Sequence, residues 1–339
     1  MVLSIRFSPL RGRDSQSLVA RGHPCPSFSL CYDSDMFVDT HGHVNFNAFK
    51  EDSDAVLKRA LGDNTWVIMP GTQYSTSKRA VEMAEGFKEG VYAAVGLHPI
   101  HLGEQRKVDV LEVQSLRLAS LAQGKQSWEE FVTRSEEFDF EKYRELTKSK
   151  KTVAIGEFGL DYYYRPKGKA KLEAFKVKQK DVFLKQLDLA EKVGLPVILH
   201  CRVAHDDMLE LLTTNYKLQT KNLSGVVHCF TGTVEQAQKF MELGLHIGFN
   251  GLILKSVPAL PNPEEVISSI PLERILLETD SPYLVPPMAG AERNEPLFVK
   301  YVAEEIARIK KVSVQEVADA TTKNAKMLFA LQSFTLPAE

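Results

Sequence analysis

Eight short apolar segments rich in β-branched residues recur along this sequence, and a stretch with helical periodicity follows most of them. The predicted strands are Phe37–Val38, Trp66–Met69, Val91–Val95, Thr152–Ile155, Val197–Leu199, Gly225–Val227, His246–Phe249 and Ile275–Leu277. The predicted helices include Asp52–Leu61, Lys78–Phe87, Val182–Val193, His205–Thr213 and Val234–Leu243. Alternation of this kind is typical of a parallel sheet covered by helices. Eight repeats in 339 residues therefore predict an α/β protein with a single-domain (β/α)8 TIM barrel.

The composition narrows the class of protein further. A doubly wound open sheet is the structural alternative, although no glycine-rich dinucleotide-binding loop follows a predicted strand. No apolar run is long enough to span a bilayer, so no membrane partner is expected. The formal net charge of −2 shows no general excess of Lys and Arg, so phosphate binding would depend on local charge or on metal ions. The four cysteines form no C-x-x-C pair, which argues against a zinc knuckle.

The first 35 residues differ in composition from the rest of the chain. They are rich in Ser and Arg and nearly free of acidic residues. Three interpretations fit this composition: a disordered tail, a targeting peptide, or a start codon read upstream of Met36. Without a targeting segment the protein is expected in the cytoplasm, whereas a transit peptide would direct it to an organelle or the nucleus.

The barrel is predicted to span residues 36–332, with a short tail at 333–339. Residues 104–150 are too many for one crossover helix between the third and fourth strands, so they are predicted to form a helical insertion. The insertion either has no role of its own or forms one wall of a substrate groove. Near the C-terminus, Ser313 and Glu316 predict a capping box at the start of the last helix.

Side chains with metal-binding chemistry lie where the predicted strands end, which is where barrel enzymes carry their reacting groups. Five of the nine histidines fall there, with two carboxylates. These residues are His41, His43, His98, Glu157, His200, His228 and Asp280. Each alone has an ordinary structural explanation, such as a hydrogen-bonded rim histidine or a buried acid paired with Arg202. Their joint placement at one face indicates a metal centre instead.

Barrel closure predicts which residues share an ion. His41 and His43 point to the same side of an extended segment, and the last strand brings Asp280 beside them. His200 and His228 follow adjacent strands and are predicted to hold a second ion. Glu157 is placed to bridge the two ions with one oxygen each. Imidazole-rich sites favour Zn²⁺, Ni²⁺ or Mn²⁺ over Mg²⁺.

The other histidines and two cysteines receive different predictions. His98 is expected either to contact substrate or to support a ligand, with a structural role as the alternative. Packing, helical or solvent-facing positions are predicted for three histidines, and His23 lies in the tail. The three are His101, His205 and His246. Strand alternation predicts that Cys201 and Cys229 point away from the lumen and pack.

Seven motifs between Met36 and Phe329 carry a family resemblance. They are Phe37–His43 (FVDTHGH), Gly96–Pro99 (GLHP), Ala154–Tyr162 (AIGEFGLDY), Leu195–Arg202 (LPVILHCR), His228–Gly232 (HCFTG), Leu277–Tyr283 (LETDSPY) and Arg293–Pro296 (RNEP). Together they resemble the TatD family of metal-dependent deoxyribonucleases, which have amidohydrolase-type barrels. The chain departs from the family pattern in the segment before Met36 and in the insertion after His98, which puts substrate length and groove shape in doubt.

The resemblance implies a function and roles for the site residues. It implies a 3′–5′ exonuclease that hydrolyses the phosphodiester bonds of DNA, single-stranded or with free ends, with two divalent ions (Mg²⁺, Mn²⁺ or Zn²⁺). The protein is expected to be a monomer. The implied ligands are His41, His43, Glu157, His200, His228 and Asp280. Asp280 would also accept the proton of the attacking water. His98 and Arg202 could contact phosphate. The alternatives are a hydrolase of another ester or an amide, such as a D-aminoacyl-tRNA deacylase, and a metal-binding scaffold without turnover.

Overall fold

A parallel eight-stranded barrel forms the centre of the molecule. The computed structural model describes residues 36–103, 107–108, 131–132, 134–216 and 223–331. The barrel strands are β1 (Phe37–Asp39), β2 (Thr65–Pro70), β3 (Val91–Val95), β4 (Thr152–Asp161), β5 (Val197–Arg202), β6 (Gly225–His228), β7 (His246–Phe249) and β8 (Ile275–Leu277). Neighbouring strands follow in chain order, so the predicted (β/α)8 TIM barrel is confirmed and the doubly wound alternative is wrong.

The first and last strands meet just beyond their carboxyl ends. Thr40 N donates to Leu277 O at 3.0 Å, and Asp280 N donates to His41 O at 2.8 Å. A parallel bridge joins Gly42 to Ser281 one layer higher. The predicted contact between the first and last strands is therefore present, and it brings Asp280 beside the β1 histidines.

Helices cover the outside of the barrel. They are α1 (Ser53–Gly62), α2 (Tyr74–Glu85), α3 (Phe140–Leu146), α4 (Lys169–Val193), α5 (His205–Leu211), α6 (Val234–Glu242), α7 (Pro263–Ser269), α8 (Val299–Lys310) and α9 (Val314–Leu328). Two starts differ from the prediction by more than one residue. α4 begins at Lys169 rather than Val182, and α2 begins at Tyr74, where Gln73 and Thr76 form a capping box. The predicted capping box of Ser313 and Glu316 is confirmed.

Several predicted segments lie outside the described residues. These are the whole tail before Met36, the C-terminal tail and most of the insertion. The described part of the insertion packs on the barrel: Tyr143 Oη donates to Glu136 Oε1 at 2.7 Å, and the same oxygen accepts from Tyr74 N at 3.0 Å. A pair of two-residue antiparallel strands joins Lys107–Val108 to Phe131–Val132. Across the described parts of the chain, no helix combines the length and apolarity needed to cross a bilayer.

The apolar core has two parts because successive strand side chains point to opposite faces. Val38, Ile68, Ala154 and Ile198 belong to the cluster inside the barrel. Leu199, with other outward-facing residues, packs beneath the helices. Burial of one such side chain contributes roughly 1.5–3 kcal/mol. The carboxyl end of the barrel, by contrast, is filled with imidazoles and carboxylates.

Candidate metal centre

Six predicted ligands converge at the carboxyl end of the barrel, and none is more than 8% exposed. They are His41, His43, Glu157, His200, His228 and Asp280. We call His41 and His43 the β1 pair, and His200 and His228 the β5–β6 pair. Glu157 lies between the pairs, because its Oε2 is 3.3 Å from His41 Nε2 and its Oε1 is 2.8 Å from His200 Nδ1.

A β-bulge aims Glu157 into the lumen. Ala154 faces inward and Ile155 outward, so strict alternation would send Glu157 outward. The register with β5 shifts between Ile155 and Phe158, and Phe158 packs in the outer cluster. One added residue thus reverses the phase, and Glu157 faces the histidines. Glu157 also lies inside β4, not after it as predicted.

The β1 pair presents nitrogen lone pairs to the centre. His43 Nδ1 lies 3.1 Å from Pro70 O, an acceptor only, so in the neutral ring Nδ1 carries the proton and Nε2 is bare. That Nε2 is 3.2 Å from His41 Nε2 and 3.5 Å from Asp280 Oδ1. Burial, followed by the charge of His228, lowers the pKa of His41 to about 4. His41 is therefore neutral at physiological pH and ready to bind a cation.

A buried carboxylate fixes the orientation of His228. Glu278, which has no exposed surface, accepts from His228 Nδ1 and from Cys229 N, both at 2.9 Å. His228 Nε2 then faces the centre, 3.9 Å from Asp280 Oδ2. Gly248 makes room for this acid, since a Cβ there would lie 2.1 Å from Glu278 Oε1. Burial lowers the pKa of His228, but the charge and hydrogen bond of Glu278 outweigh it and raise the pKa to about 10.

His200 lies between two carboxylates. Its Nδ1 contacts Glu157, and its Nε2 is 3.4 Å from Asp161 Oδ2, within ion-pair distance although not aligned as a hydrogen bond. Burial opposes protonation of His200, but the close contact with Asp161 and the hydrogen bond with Glu157 outweigh it and raise the pKa to about 9. Burial likewise opposes ionisation of Asp161, yet the contact with His200 lowers that pKa to about 2.

His98 enters the centre as a hydrogen-bond donor. Its Nδ1 accepts from Ile100 N at 3.0 Å, so in the neutral ring Nε2 carries the proton. Nε2 points to Glu157 Oε1 at 3.5 Å. Although His98, Glu157 and His200 lie close enough to share an ion, this tautomer makes His98 a donor to an anion and not a ligand. Its predicted role in substrate contact or ligand support remains the better interpretation.

The comparisons with known proteins agree with this geometry. A family model described as TatD related DNase matches residues 38–330. The chain belongs to the TatD-related DNase family. Uncharacterized metal-dependent hydrolase YabD of Bacillus subtilis is 34% identical over 297 residues, which is 87% of this chain and 100% of that protein. The 3'-5' ssDNA/RNA exonuclease TatD of Pantoea ananatis is 31% identical over 288 residues, which is 84% of this chain and 95% of that protein.

A solved TatD structure supports the fold. The crystal structure of YJJV, a TatD homologue from Escherichia coli K12, has a TM-score of 0.65 and 30% sequence identity with this chain. The match covers 87% of this chain and 98% of that chain. This protein is therefore a member of a family of metal-dependent hydrolases built on the same barrel.

The donor set fits the divalent cation that TatD membership implies. Bare Nε2 atoms that face carboxylate oxygens repel them unless a proton or a metal ion lies between. His41, His43 and Asp280 offer ligand atoms within 4.8 Å of one another, and so do His41, Glu157 and His228. His41 Nδ1 has no hydrogen-bond partner in the described part of the chain. These residues could hold metal, while the number and identity of the ions stay predictions.

Three acids of the site were missed by sequence reasoning, although each lies in a quoted motif. They are Asp39, Asp161 and Glu278. Asp39 accepts from Thr279 N at 2.9 Å, Thr279 Oγ1 at 2.6 Å and His41 N at 3.1 Å, so it ties β1 to the last strand. Burial raises the pKa of Asp39 to about 7. The available signal was spacing, since Asp39 and Glu278 each stand two residues before a predicted ligand.

The prediction for Cys229 is wrong, and that for Cys201 is confirmed. Cys201 is buried in the outer apolar cluster. Cys229 instead has its thiol within 4.8 Å of ligand atoms of His228 and Asp280. β6 ends at His228 and Cys229 has φ 46°, so strand alternation does not extend to it. His101 and His205 are buried packing residues.

Three of the seven non-glycine residues with left-handed backbone in the described chain lie near this centre. Cys229 (φ 46°) and Asp280 (φ 57°) adjoin or belong to the ligand set, and Val203 (φ 56°) follows Arg202 at the end of β5. A β-branched residue in this region is a genuine outlier. Such conformations cost of order 1–3 kcal/mol and are retained where the surrounding structure requires them. The left-handed residues Cys229 and Asp280 lie where the chain turns beyond the ends of β6 and β8.

Arg202, predicted to contact phosphate, lies one layer above the ligands. It is the register partner of Asp161, and it points to the same side of β5 as His200. Its guanidinium carbon is 3.8 Å from the centre of the Tyr163 ring. The structure thus places Arg202 at the mouth of the centre, and phosphate contact stays a prediction.

Proposed function

We propose that this protein is a 3′–5′ exonuclease that hydrolyses phosphodiester bonds of single-stranded DNA or of frayed DNA ends, with two divalent ions at the centre described above. The observation that carries the proposal is the position of Glu157, whose two oxygens face the β1 pair and His200 separately. TatD relatives named as 3'-5' ssDNA/RNA exonucleases support the substrate class and the direction.

Each pair would hold one ion, with Glu157 shared. His41, His43 and Asp280 would hold the first, and the β5–β6 pair would complete the second. Bound divalent ions supply positive charge for phosphate oxygens and lower the pKa of a bound water toward neutrality. The identity of the ions is open to Mg²⁺, Mn²⁺ or Zn²⁺.

Asp280 is the proposed proton acceptor. Burial opposes its ionisation, but the close contact with the His43 ring and the charge of His228 lower the pKa of Asp280 to about 2. The carboxylate is therefore ionised at neutral pH and can orient the attacking water and accept its proton. His98, with Nε2–H directed into the centre, would donate to a phosphate oxygen.

The first test is cleavage of a 5′-labelled single-stranded oligonucleotide with Mg²⁺ or Mn²⁺. We expect progressive shortening from the 3′ end by wild type and a loss of about 10³-fold in Asp280→Asn, the scale of a general base. A matched control is Asp319→Asn, a change at a distant helix position. The same assay with an RNA oligonucleotide separates DNA from RNA preference.

The alternative functions, an ester or amide hydrolase and a metal-binding scaffold, predict different results in the same assays. If wild type with either metal leaves the oligonucleotide intact but hydrolyses a D-aminoacyl-tRNA ester, the nuclease proposal is wrong. If it binds metal and turns over none of these substrates, the scaffold interpretation stands instead. Metal analysis of protein purified without chelator identifies the ion, and less than one equivalent of transition metal would favour Mg²⁺.

A further inference from the structure

A strongly basic surface segment begins where β4 ends. Residues 162–180 contain seven Lys and Arg and a single acid, Glu173, in a chain whose Lys+Arg and Asp+Glu counts are 42 and 44. Most of its first part, residues 163–171, is exposed, and we call this part the basic strip. Its exposed aromatic and basic members are Tyr163, Arg165, Lys167, Lys169 and Lys171. The net charge of the protein conceals this local concentration.

The cations of the basic strip have no acidic partner in the described structure. No salt bridge joins Arg165, Lys167, Lys169 or Lys171 to a carboxylate of the described residues. Further along α4, by contrast, Lys180 is 3.0 Å from Asp207. The strip lysines also do not stabilise the helix, since cations in a first turn without acids oppose its dipole. Their positive charge therefore remains available to an external anion.

An aromatic side chain stands between this charge and the metal centre. Tyr163 is 42% exposed, a high value for so large a ring. Arg202 lies 3.8 Å from the ring centre, and Tyr164 meets the ring edge-on at 4.9 Å. Exposed rings beside cations are the surfaces on which bases of single strands stack.

The ring is connected to a metal-site histidine through one residue. Tyr163 N donates to Asp161 Oδ1 at 2.8 Å, and Asp161 Oδ2 is 3.4 Å from His200 Nε2. Because the strip begins two residues after β4, the strand that carries Glu157, it leaves the barrel at the mouth of the metal centre. A polymer lying along the strip would have its end at that mouth.

We infer that the basic strip and Tyr163 form a binding track for single-stranded nucleic acid, with the Tyr163 ring stacking on a base and Lys167 and Lys169 contacting phosphates. The inference rests on the proposed function for the polarity of the bound nucleic acid, whose 3′ end would point to the metal centre. The binding itself needs neither metal nor cleavage.

The stacking contact is tested with metal-free protein and two labelled oligonucleotides of about ten nucleotides, one with bases and one abasic, by fluorescence anisotropy. Tyr163→Ala should weaken binding of the base-bearing strand about tenfold, the loss expected for one stacked base, and leave the abasic strand unaffected. Tyr163→Phe should bind within about twofold of wild type, because the ring is retained. Tyr301→Ala on α8 is the matched control. Equal binding of both oligonucleotides by wild type and Tyr163→Ala would overturn the inference.

The phosphate contacts are tested through salt dependence. Removal of one lysine–phosphate ion pair should reduce the slope of log affinity against log salt by about 0.7, so Lys167→Gln with Lys169→Gln should reduce it by about 1.4. The matched control is Lys88→Gln with Lys323→Gln, exposed lysines that lie before β3 and on α9. A slope that changes equally in both double variants would overturn the track.

The two proposals can fail separately. Base-dependent binding through Tyr163, with no cleavage when Mg²⁺ or Mn²⁺ is added, supports the track and overturns the exonuclease. If Tyr163→Ala and the double lysine variant cleave DNA and bind it as wild type does, the exonuclease proposal is supported and the track is overturned.

Discussion

The β1 pair and the β5–β6 pair face the same carboxylate, Glu157, but their outer nitrogens have different surroundings. In the β1 pair, His43 Nδ1 contacts the neutral carbonyl of Pro70, and His41 Nδ1 has no hydrogen-bond partner in the described structure. Among the described residues, therefore, no acid lies behind the β1 pair. Of this pair, only His43 has its outer nitrogen held, and a backbone carbonyl holds it.

The β5–β6 pair has an acid behind each ring. Asp161 lies 3.4 Å from His200 Nε2, and Glu278 lies 2.9 Å from His228 Nδ1. These acids make the two imidazoles stronger bases, as carboxylates behind metal-binding histidines do. Without metal, the pKa values of His200 and His228 are raised to about 9 and about 10.

The difference indicates that the two proposed ion sites are not equivalent. Because burial lowers the pKa of His41 to about 4, this ring is uncharged at neutral pH, and the first ion can bind there without first removing a proton from an imidazolium. The β5–β6 pair must lose protons before it can bind an ion. Once the protons have left, the more basic rings bind an ion more strongly. The acids behind these rings therefore oppose ion binding at low pH, where they favour protonation, and strengthen it at high pH.

The largest effect is expected from the residue that the two halves share. Glu157→Gln should remove ligands from both proposed ions and lower nuclease activity by at least about 10³-fold, the scale of losing a catalytic group. Bound metal should fall below one equivalent by elemental analysis. Glu191→Gln, an exposed change on α4, is the control. Two retained equivalents of metal in folded Glu157→Gln would show that Glu157 does not bridge.

The second predicted effect is that only the ion held by the β5–β6 pair binds with a strong dependence on pH. The raised pKa values of His200 and His228 mean that both rings are doubly protonated imidazolium cations below about pH 9 in the metal-free protein. Binding of the second ion should therefore strengthen as pH rises, by up to about a hundredfold per pH unit if two protons are released, and level off near pH 10. Calorimetry in buffers of different ionisation enthalpy counts the protons.

The first ion should behave differently from the second in the same experiment. Its binding should depend weakly on pH above about 5, because His41 is already neutral there. If both ions show the same steep pH dependence, the proposed difference between the halves is wrong.

The sequence predicts the position of the ligands better than the way they are held. Strand ends can be read from apolar runs, and barrel topology makes the first and last strands neighbours, so His41, His43 and Asp280 could be placed together in advance. Glu157 faces inward only because of a bulge, which a single sequence does not reveal.

The supporting acids needed information about register. Asp39 and Glu278 share a motif with a ligand, but Asp39 bonds Thr279 and Glu278 bonds His228, each on another strand. Spacing along the chain places these acids near the ligands but does not say which group each one meets. Cys229 was misplaced for a similar reason, since its left-handed backbone begins where the strand rule ends.

The next prediction separates the acids behind the β5–β6 pair from ligands. Glu278→Gln should weaken the second ion by about 10–100-fold, the usual cost of losing an outer carboxylate, and lower the pKa of His228. Asp161→Asn should act alike through His200. Both variants should keep the first ion. NMR titration of the histidine rings in metal-free protein measures the pKa change, and an unchanged His228 pKa in folded Glu278→Gln would contradict the assignment.

The smallest effect is expected at His98, which belongs to neither the β1 pair nor the β5–β6 pair. Since Nδ1 accepts from Ile100 N, the ring offers Nε2–H as a donor, and His98→Gln keeps a donor while His98→Ala removes it. We expect His98→Ala to reduce nuclease kcat/KM by about tenfold, a loss of one hydrogen bond to a charged group, with both ions retained. His98→Gln should recover part of that loss. Loss of an equivalent of metal in His98→Ala would instead make His98 a third ligand of the β5–β6 half, and the two halves would then differ in ligand number as well as in basicity.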